Sequence, residues 1–193
     1  MVSSLDKLII PSCLQKVILM DAREDVKKLT FYRSHSKPVL AVKVTERQVL
    51  SLSEDQTLVV YDRVAGRKFK RINIPGDGFP LSLSLHNNSL YVGDKSGGVH
   101  LLDAGEDRYS LVSSYYSDRS GKVSSISANL GSVLTSASDG TIRAFQPDRK
   151  MSLISAIKNP DCGELAQLCY EESSQTMAAA FSNNTVKIWT RRN

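Results

Sequence analysis

The chain repeats itself, and the interval of the repeat constrains its fold more than any other feature. Residues 50–62 read LSLSEDQTLVVYD. Residues 134–145, LTSASDGTIRAF, match them one to one, and residues 177–189, MAAAFSNNTVKIW, match again. A weaker copy occupies 90–103 and a fainter one 8–21. The large residues that close the five copies are Met20, Tyr61, Leu102, Phe145 and Trp189, spaced by 41, 41, 43 and 44 residues. Each unit reads as four short strands separated by turn formers, and in the clearest unit the strands fall at 26–32, 39–44, 49–53 and 57–62. No stretch keeps a 3.6-residue apolar period over three turns, which leaves almost no room for helix. The nearest approach, 162–172, is flanked by Pro160 and Gly163 and reads as a loop running into a strand.

Composition narrows the classes further. A chain of 193 residues, 41% hydrophobic and 23% charged, suits a soluble globular protein with a substantial core. The net charge of +5 comes from Lys and Arg spread along the whole chain, whereas nucleic-acid binders gather them in a stripe with interleaved aromatics; no nucleic-acid partner is expected. Cys13, Cys162 and Cys169 leave one thiol unpaired under any scheme, and none lies in a C-x-x-C. That points to a reducing compartment, the cytoplasm and also the nucleus, with no metal, cofactor or redox role. Cys169 alternates with apolar neighbours and is expected to be a small buried hydrophobe. Asp6, Lys7, Pro11 and Lys16 interrupt the only stretch that resembles a signal peptide, and nothing approaches the ~20 apolar residues of a membrane span.

Four strands in ~40–45 residues is the size of one blade of a β-propeller. The repeats are expected at about 5–21 (incomplete), 26–62, 68–103, 109–145 and 151–190, all within one partial propeller domain, 1–193. If the first strand of each repeat completes the preceding blade, the result is all-β: about three complete four-stranded blades flanked by two three-stranded ones. The unpaired edges of the outer two favour association or swapping.

The residues that carry these units resemble the WD-repeat (WD40) family. Its pattern is a Gly-His ahead of the first inner strand and a Ser-x-Ser-x-Asp-x-Thr strand pair ending in Trp-Asp; here only the last copy has the tryptophan, Trp189. A closer resemblance, covering about 35–189, is to the C-terminal part of F-box and WD-repeat proteins. It is carried by HSKPVLA (35–41), SEDQTLVVYDR (53–63), AG (65–66), GD (93–94) and TIR (141–143). The resemblance implies a propeller that receives a substrate protein for an SCF-type cullin-RING ubiquitin ligase, whose adaptor docks on the F-box. Residues 1–34 hold no F-box-like helical bundle, so adaptor docking does not carry over to them. A seven-bladed ring at this period needs ~300 residues, so the chain reads as a fragment, a short isoform or a mispredicted gene model. The alternative is a general assembly scaffold in trafficking or signalling with no ligase link.

The family pattern also implies a structural hydrogen-bonded tetrad of His35, Ser51, Asp55 and Tyr61, with Thr135, Asp139 and Phe145 keeping part of one. His, Ser and Asp together invite a hydrolase reading. A nucleophilic serine wants a strained Gly-x-Ser-x-Gly elbow opening a helix, and the sequence has none. Glu171 with Glu172, and Glu106 with Asp107, sit in polar turn stretches and read as solvated charges rather than acid–base pairs. The glycines of 93–98 lack the Gly-Lys-Ser/Thr of a phosphate loop. No catalytic residue is therefore expected. A partner is expected instead at the end of the blades where the loop entering the first strand meets the turn between the second and third. Arg33, Lys37, Phe79, Lys95, Arg119 and Lys122 fall there, cations around an aromatic anchor, suited to an acidic or phosphorylated protein segment.

Overall fold

A computed structural model describes residues 7–12, 16–21, 27–117, 121–158 and 163–190. Every regular element among them is a β-strand except one 3-10 turn at Gly105–Asp107. The chain divides into two compact units, 1–75 and 76–193.

In the first unit, β1 (Lys7–Ser12), β2 (Lys16–Asp21) and β3 (Lys27–Arg33) form a three-stranded sheet. A four-stranded sheet follows from β4 (Val39–Val44), β5 (Gln48–Ser53), β6 (Thr57–Asp62) and β7 (Arg67–Asn73). In the second unit, β8 (Pro80–His86), β9 (Ser89–Asp94), β10 (Val99–Asp103) and β11 (Ser110–Tyr115) form one four-stranded sheet. β12 (Val123–Ala128), β13 (Val133–Ala137), β14 (Thr141–Phe145) and β15 (Leu153–Lys158) form another. The last sheet has three strands, β16 (Leu165–Glu171), β17 (Thr176–Phe181) and β18 (Val186–Thr190). All pairings are antiparallel between chain neighbours, and β3, which opens a sequence repeat, completes the sheet of β1 and β2. The chain is all-β, with sheets of three, four, four, four and three strands in chain order, as the period implies.

The sequence period is written into the irregularities of the sheets as well. Pairing slips in the first strand of four sheets at the same place: between Val39 and Ala41, Pro80 and Ser82, Val123 and Ser125, and Leu165 and Gln167. A second slip occurs against each outer strand between Leu19 and Met20, Val60 and Tyr61, Leu101 and Leu102, and Ala144 and Phe145. The closing residues of the repeat are thus where the outer strand bends away. The turn between second and third strands also recurs, with Gln56, Gly97, Gly140 and Asn184 at φ of 60°, 92°, 80° and 64°. Glycine and asparagine take this left-handed conformation most cheaply, and three of the four positions use them.

Packing explains the runs of buried residues. All five residues of β13 are buried because alternate side chains enter different clusters. Val133 joins Tyr91, Val99, Val123 and Phe145 on one side, and Leu134 joins Ile142, Leu165, Leu168 and Phe181 on the other. In the first unit, fully buried Val17 packs with Val39 and Val49. The outward side of the last sheet lacks such cover, and Val186 and Ile188 are 63% and 67% exposed. Cys169 shares that exposure. Its alternation does place it on β16, but on the side opposite Leu168, so it is not the buried hydrophobe expected.

Candidate functional site

The loop entering β4 and the turn between β5 and β6 are tied by Glu54 N–H donating to Pro38 O at 3.1 Å. Between them lies a buried polar set. His35 Nε2 stands 2.8 Å from Ser51 Oγ, and its Nδ1 stands 3.2 Å from Asp55 Oδ1 and 3.1 Å from Thr57 Oγ1. Thr57 donates to Asp55 Oδ1 through its hydroxyl at 2.6 Å and its N–H at 3.2 Å, and Ser36 N–H donates to Asp55 Oδ2 at 2.8 Å. Arg71 Nη2 is 3.7 Å from the same carboxylate and also donates to Ser34 O.

The fourth member of this set is Thr57 rather than Tyr61. Tyr61 pairs with Val49, packs against the Val17, Val39 and Val49 cluster, and carries its hydroxyl toward Gly66 at the far end of the strand. A smaller hydroxyl in the turn reaches the Asp55 carboxylate where the closing aromatic cannot.

Electrostatics fix the protonation states. Burial alone would raise the Asp55 carboxyl, but the hydrogen bonds from Thr57, Ser36 and His35 together outweigh it and hold the group at about 2. Burial is also the largest influence on His35 and lowers it below its ordinary 6.5, against the pull of Asp55. At neutral pH a neutral imidazole therefore donates from Nδ1 to a carboxylate and accepts the Ser51 hydroxyl at Nε2. Ser51 Oγ sits in a residue with no exposed surface. The donors and acceptors satisfy one another, and substrate has no route to the serine.

Thr135, Asp139 and Phe145 are not brought together. Thr135 is buried opposite Arg143 on the neighbouring strand, Phe145 lies in the core, and no hydrogen bond among the described residues joins Thr135 to Asp139. Asp139 instead accepts Thr141 N–H at 3.0 Å and lies 3.6 Å from Arg143 Nη2, which also donates to Ser117 Oγ at 3.2 Å.

A second histidine–aspartate pair went unrecognised in the sequence. His100 and Asp94 have no exposed surface, and His100 Nε2 is 3.0 Å from Asp94 Oδ2, with Nδ1 2.9 Å from Ser114 Oγ. Asp94 Oδ1 accepts the N–H groups of Ser96 and Gly98, both at 2.8 Å. Burial pushes the Asp94 carboxyl up, but His100, Gly98 and Ser96 together bring it below the usual range. The available signal was a histidine inside the apolar run Val99–Asp103, which needs a partner wherever it is buried.

The expected partner face is divided. Arg33 and Lys37 are exposed in the first unit; Phe79, Lys95 and Lys122 belong to the second; Arg119 lies outside the described residues. Lys95 Nζ sits 4.9 Å from the centre of the Phe79 ring, and Lys122 Nζ is 3.5 Å from Glu164 Oε2. Two of the expected cations therefore already have partners. The loop and turn at this end are joined by the same backbone bond in four of the described sheets: Glu54 to Pro38, Lys95 to Phe79, Ser138 to Lys122 and Ser182 to Glu164.

No protein-family model matches the chain. It is 33% identical over 133 residues to F-box/WD repeat-containing protein 9 of Bos taurus, an alignment covering 69% of this chain and 29% of that protein. It is 31% identical over 175 residues to F-box/WD repeat-containing protein 9 of Homo sapiens, covering 91% of this chain and 37% of the relative. The chain thus spans about a third of the length of the curated relatives it matches. The period, the bulges that fall on it and this similarity agree: over most of its length the chain is similar to part of these WD-repeat proteins.

Proposed function

We propose that the chain is a protein-binding scaffold, and more narrowly the substrate-capturing WD-repeat portion of an SCF-type ubiquitin-ligase receptor, with catalysis supplied by other subunits. The observation that carries the scaffold reading is the burial of the His-Ser-Asp set that the sequence offers, in which Ser51 has no exposed surface. His35, Ser51, Asp55 and Thr57 are spent on holding a loop to a turn. Such a frame presents variable loop residues on rigid strands, which is what recognition requires. The ligase link is supported by the relatives, whose names pair an F-box with WD repeats. The partner is a protein, held through an acidic or phosphorylated segment, and the compartment is the cytoplasm, with the nucleus also open to it.

Affinity capture from cells tests this. The 193-residue chain is expected to retain protein partners without the cullin adaptor, and the chain fused behind an F-box to retain both. Esterase or peptidase activity that disappears in Ser51→Ala while the fold persists would overturn the scaffold reading. Partners that are never ubiquitinated when the fused receptor is overexpressed would remove the ligase link and leave the scaffold.

A further inference from the structure

The net charge of the chain is not shared between its units. Residues 1–75 carry fourteen Lys and Arg against eight Asp and Glu, whereas residues 76–193 carry eleven against twelve. The excess is greatest on one element. β7 reads RKFKRIN, with four cations and no acid; of the other outer strands β3 (KKLTFYR) carries three, β11 (SLVSSY) none and β15 (LISAIK) one.

β7 is the last strand of its sheet, paired with β6 and with no other described strand. Register sets its cations on both faces. Arg67 and Lys70 stand opposite Asp62 and Val60 on one face, and Lys68 and Arg71 stand opposite Tyr61 and Val59 on the other. Pairing slips at Phe69, whose side chain is 45% exposed. Arg71 is engaged by Ser34 O and Asp55. Arg67 and Lys68 are exposed and have no ionic partner among the described residues.

Protection of a sheet edge does not account for this charge. Bulges and lysines are the usual means of keeping an edge from pairing, but β11 and β15 have the same bulge and manage with no cation and one cation respectively. We propose that the outer edge of β7 docks an extended Asp- and Glu-rich protein segment, with an apolar residue of that segment against Phe69. A ligand that meets cations on both faces must run along the edge itself. Charges distributed over residues 67–71, about 13 Å of strand, suit a run of carboxylates. A single phosphate calls for converging guanidinium groups, and one of the two on this strand is already held. One exposed aromatic does not form the stacking platform that single-stranded nucleic acid uses. The inference rests on the protein-binding reading above and adds the place and chemistry of the contact.

The probe is a short fluorescein-labelled peptide of alternating Glu and Asp around one central Leu, titrated with the full chain and followed by anisotropy. Binding is expected, weakening as salt rises. Arg67→Glu with Lys68→Glu is expected to lower affinity about tenfold or more, and Phe69→Ser a few-fold. Lys37→Glu with Lys95→Glu and Lys122→Glu, at the loop end, should leave peptide affinity within about twofold of wild type. Circular dichroism and thermal melts establish that each variant folds; should charge reversal unfold the chain, Arg67→Gln with Lys68→Gln is expected to give an intermediate loss. Absence of peptide binding to the wild-type chain overturns the proposal, as does a loss confined to the loop-end variant. Tighter binding of an oligothymidylate of equal charge, abolished by the same edge changes, would assign the edge to nucleic acid instead. If the edge variant keeps the cellular partners of the wild-type chain and the loop-end variant loses them, the protein-binding reading stands and the edge assignment falls.

Discussion

Removal of the Asp55 carboxylate tests whether the buried polar set holds its blade together. The side chain is 6% exposed and accepts from Thr57 Oγ1 at 2.6 Å, Thr57 N at 3.2 Å, Ser36 N at 2.8 Å and His35 Nδ1 at 3.2 Å. In Asp55→Ala the Ser36 N–H, on an exposed residue, turns to water, but the Thr57 and His35 donors are left buried. Stranded buried donors cost about 1–3 kcal/mol each at most, and partial rehydration lowers the sum, so a loss of about 2–3 kcal/mol is expected at neutral pH. The pKa gives an independent figure. A carboxyl at about 2 in the folded chain against 3.8 ordinarily corresponds to about 2 kcal/mol. Its sign follows from the depressed folded value: the contribution is complete above pH 4 and is lost as pH falls toward 2. Urea unfolding of wild type and Asp55→Ala at several pH values is the assay, and the gap between them should close by about 2 kcal/mol across that window. A gap below about 0.5 kcal/mol at neutral pH, or one that stays constant down to pH 2, would refute the reasoning.

Thr57→Val removes the hydroxyl that takes the fourth place in the set, and should cost about 1–2 kcal/mol in denaturant unfolding; no loss would return that place to another residue. Gly98→Ala puts a Cβ 2.4 Å from Asp94 Oδ2. A loss of about 2 kcal/mol or more in thermal or urea unfolding is expected, because the buried carboxylate cannot retreat without releasing His100. His35, whose folded pKa lies below 6.5, is protonated first in the unfolded chain. Its contribution is therefore complete above pH 6.5 and declines as pH falls toward the folded value, so His35→Gln should flatten the stability profile between pH 7 and 5.

The period of the large closing residues made the architecture legible, since a 41- to 44-residue spacing of Met20, Tyr61, Leu102, Phe145 and Trp189 leaves few alternatives to a stack of four-stranded sheets. The same residues misled about the site. Tyr61 lies on the family's closing position, but position along a strand does not say which way an aromatic reaches, and its hydroxyl ends near Gly66. His100 and Asp94 were obscured for a related reason. Their spacing matches neither His35 with Asp55 nor the family pattern, and only the antiparallel register of β9 and β10 brings them together. Cys169 shows the limit of alternation, which separates two faces of a strand without saying which is covered. Lys and Arg do occur throughout the sequence, and the imbalance between the units emerges only when acids are counted within each.

What the repeat preserves in these turns is a backbone requirement, and the cation is the variable part. The N–H at or just before the start of the third strand is satisfied by a side-chain oxygen in four of the described sheets. Thr57 and Gly98 donate to Asp55 and Asp94, and Thr141 and Thr185 donate to Asp139 and Asn183, at 3.2, 2.8, 3.0 and 3.2 Å. The positive or imidazole partner comes from the incoming loop as His35, from the third strand as His100, or from the third strand as Arg143. An amide oxygen serves the N–H as well as a carboxylate does, as Asn183 already shows. Asp139→Asn should therefore cost less than about 1 kcal/mol, because Arg143 keeps its Ser117 contact and Asp139 is partly exposed. Asp94→Asn should cost about 2 kcal/mol or more. It sets an amide NH2 against His100, which has no exposed surface, and it withdraws charge from hydrogen bonds that are shielded from water. Paired urea titrations of the two variants decide it. Equal losses would mean that the charge, and not the backbone N–H, is what the repeat maintains.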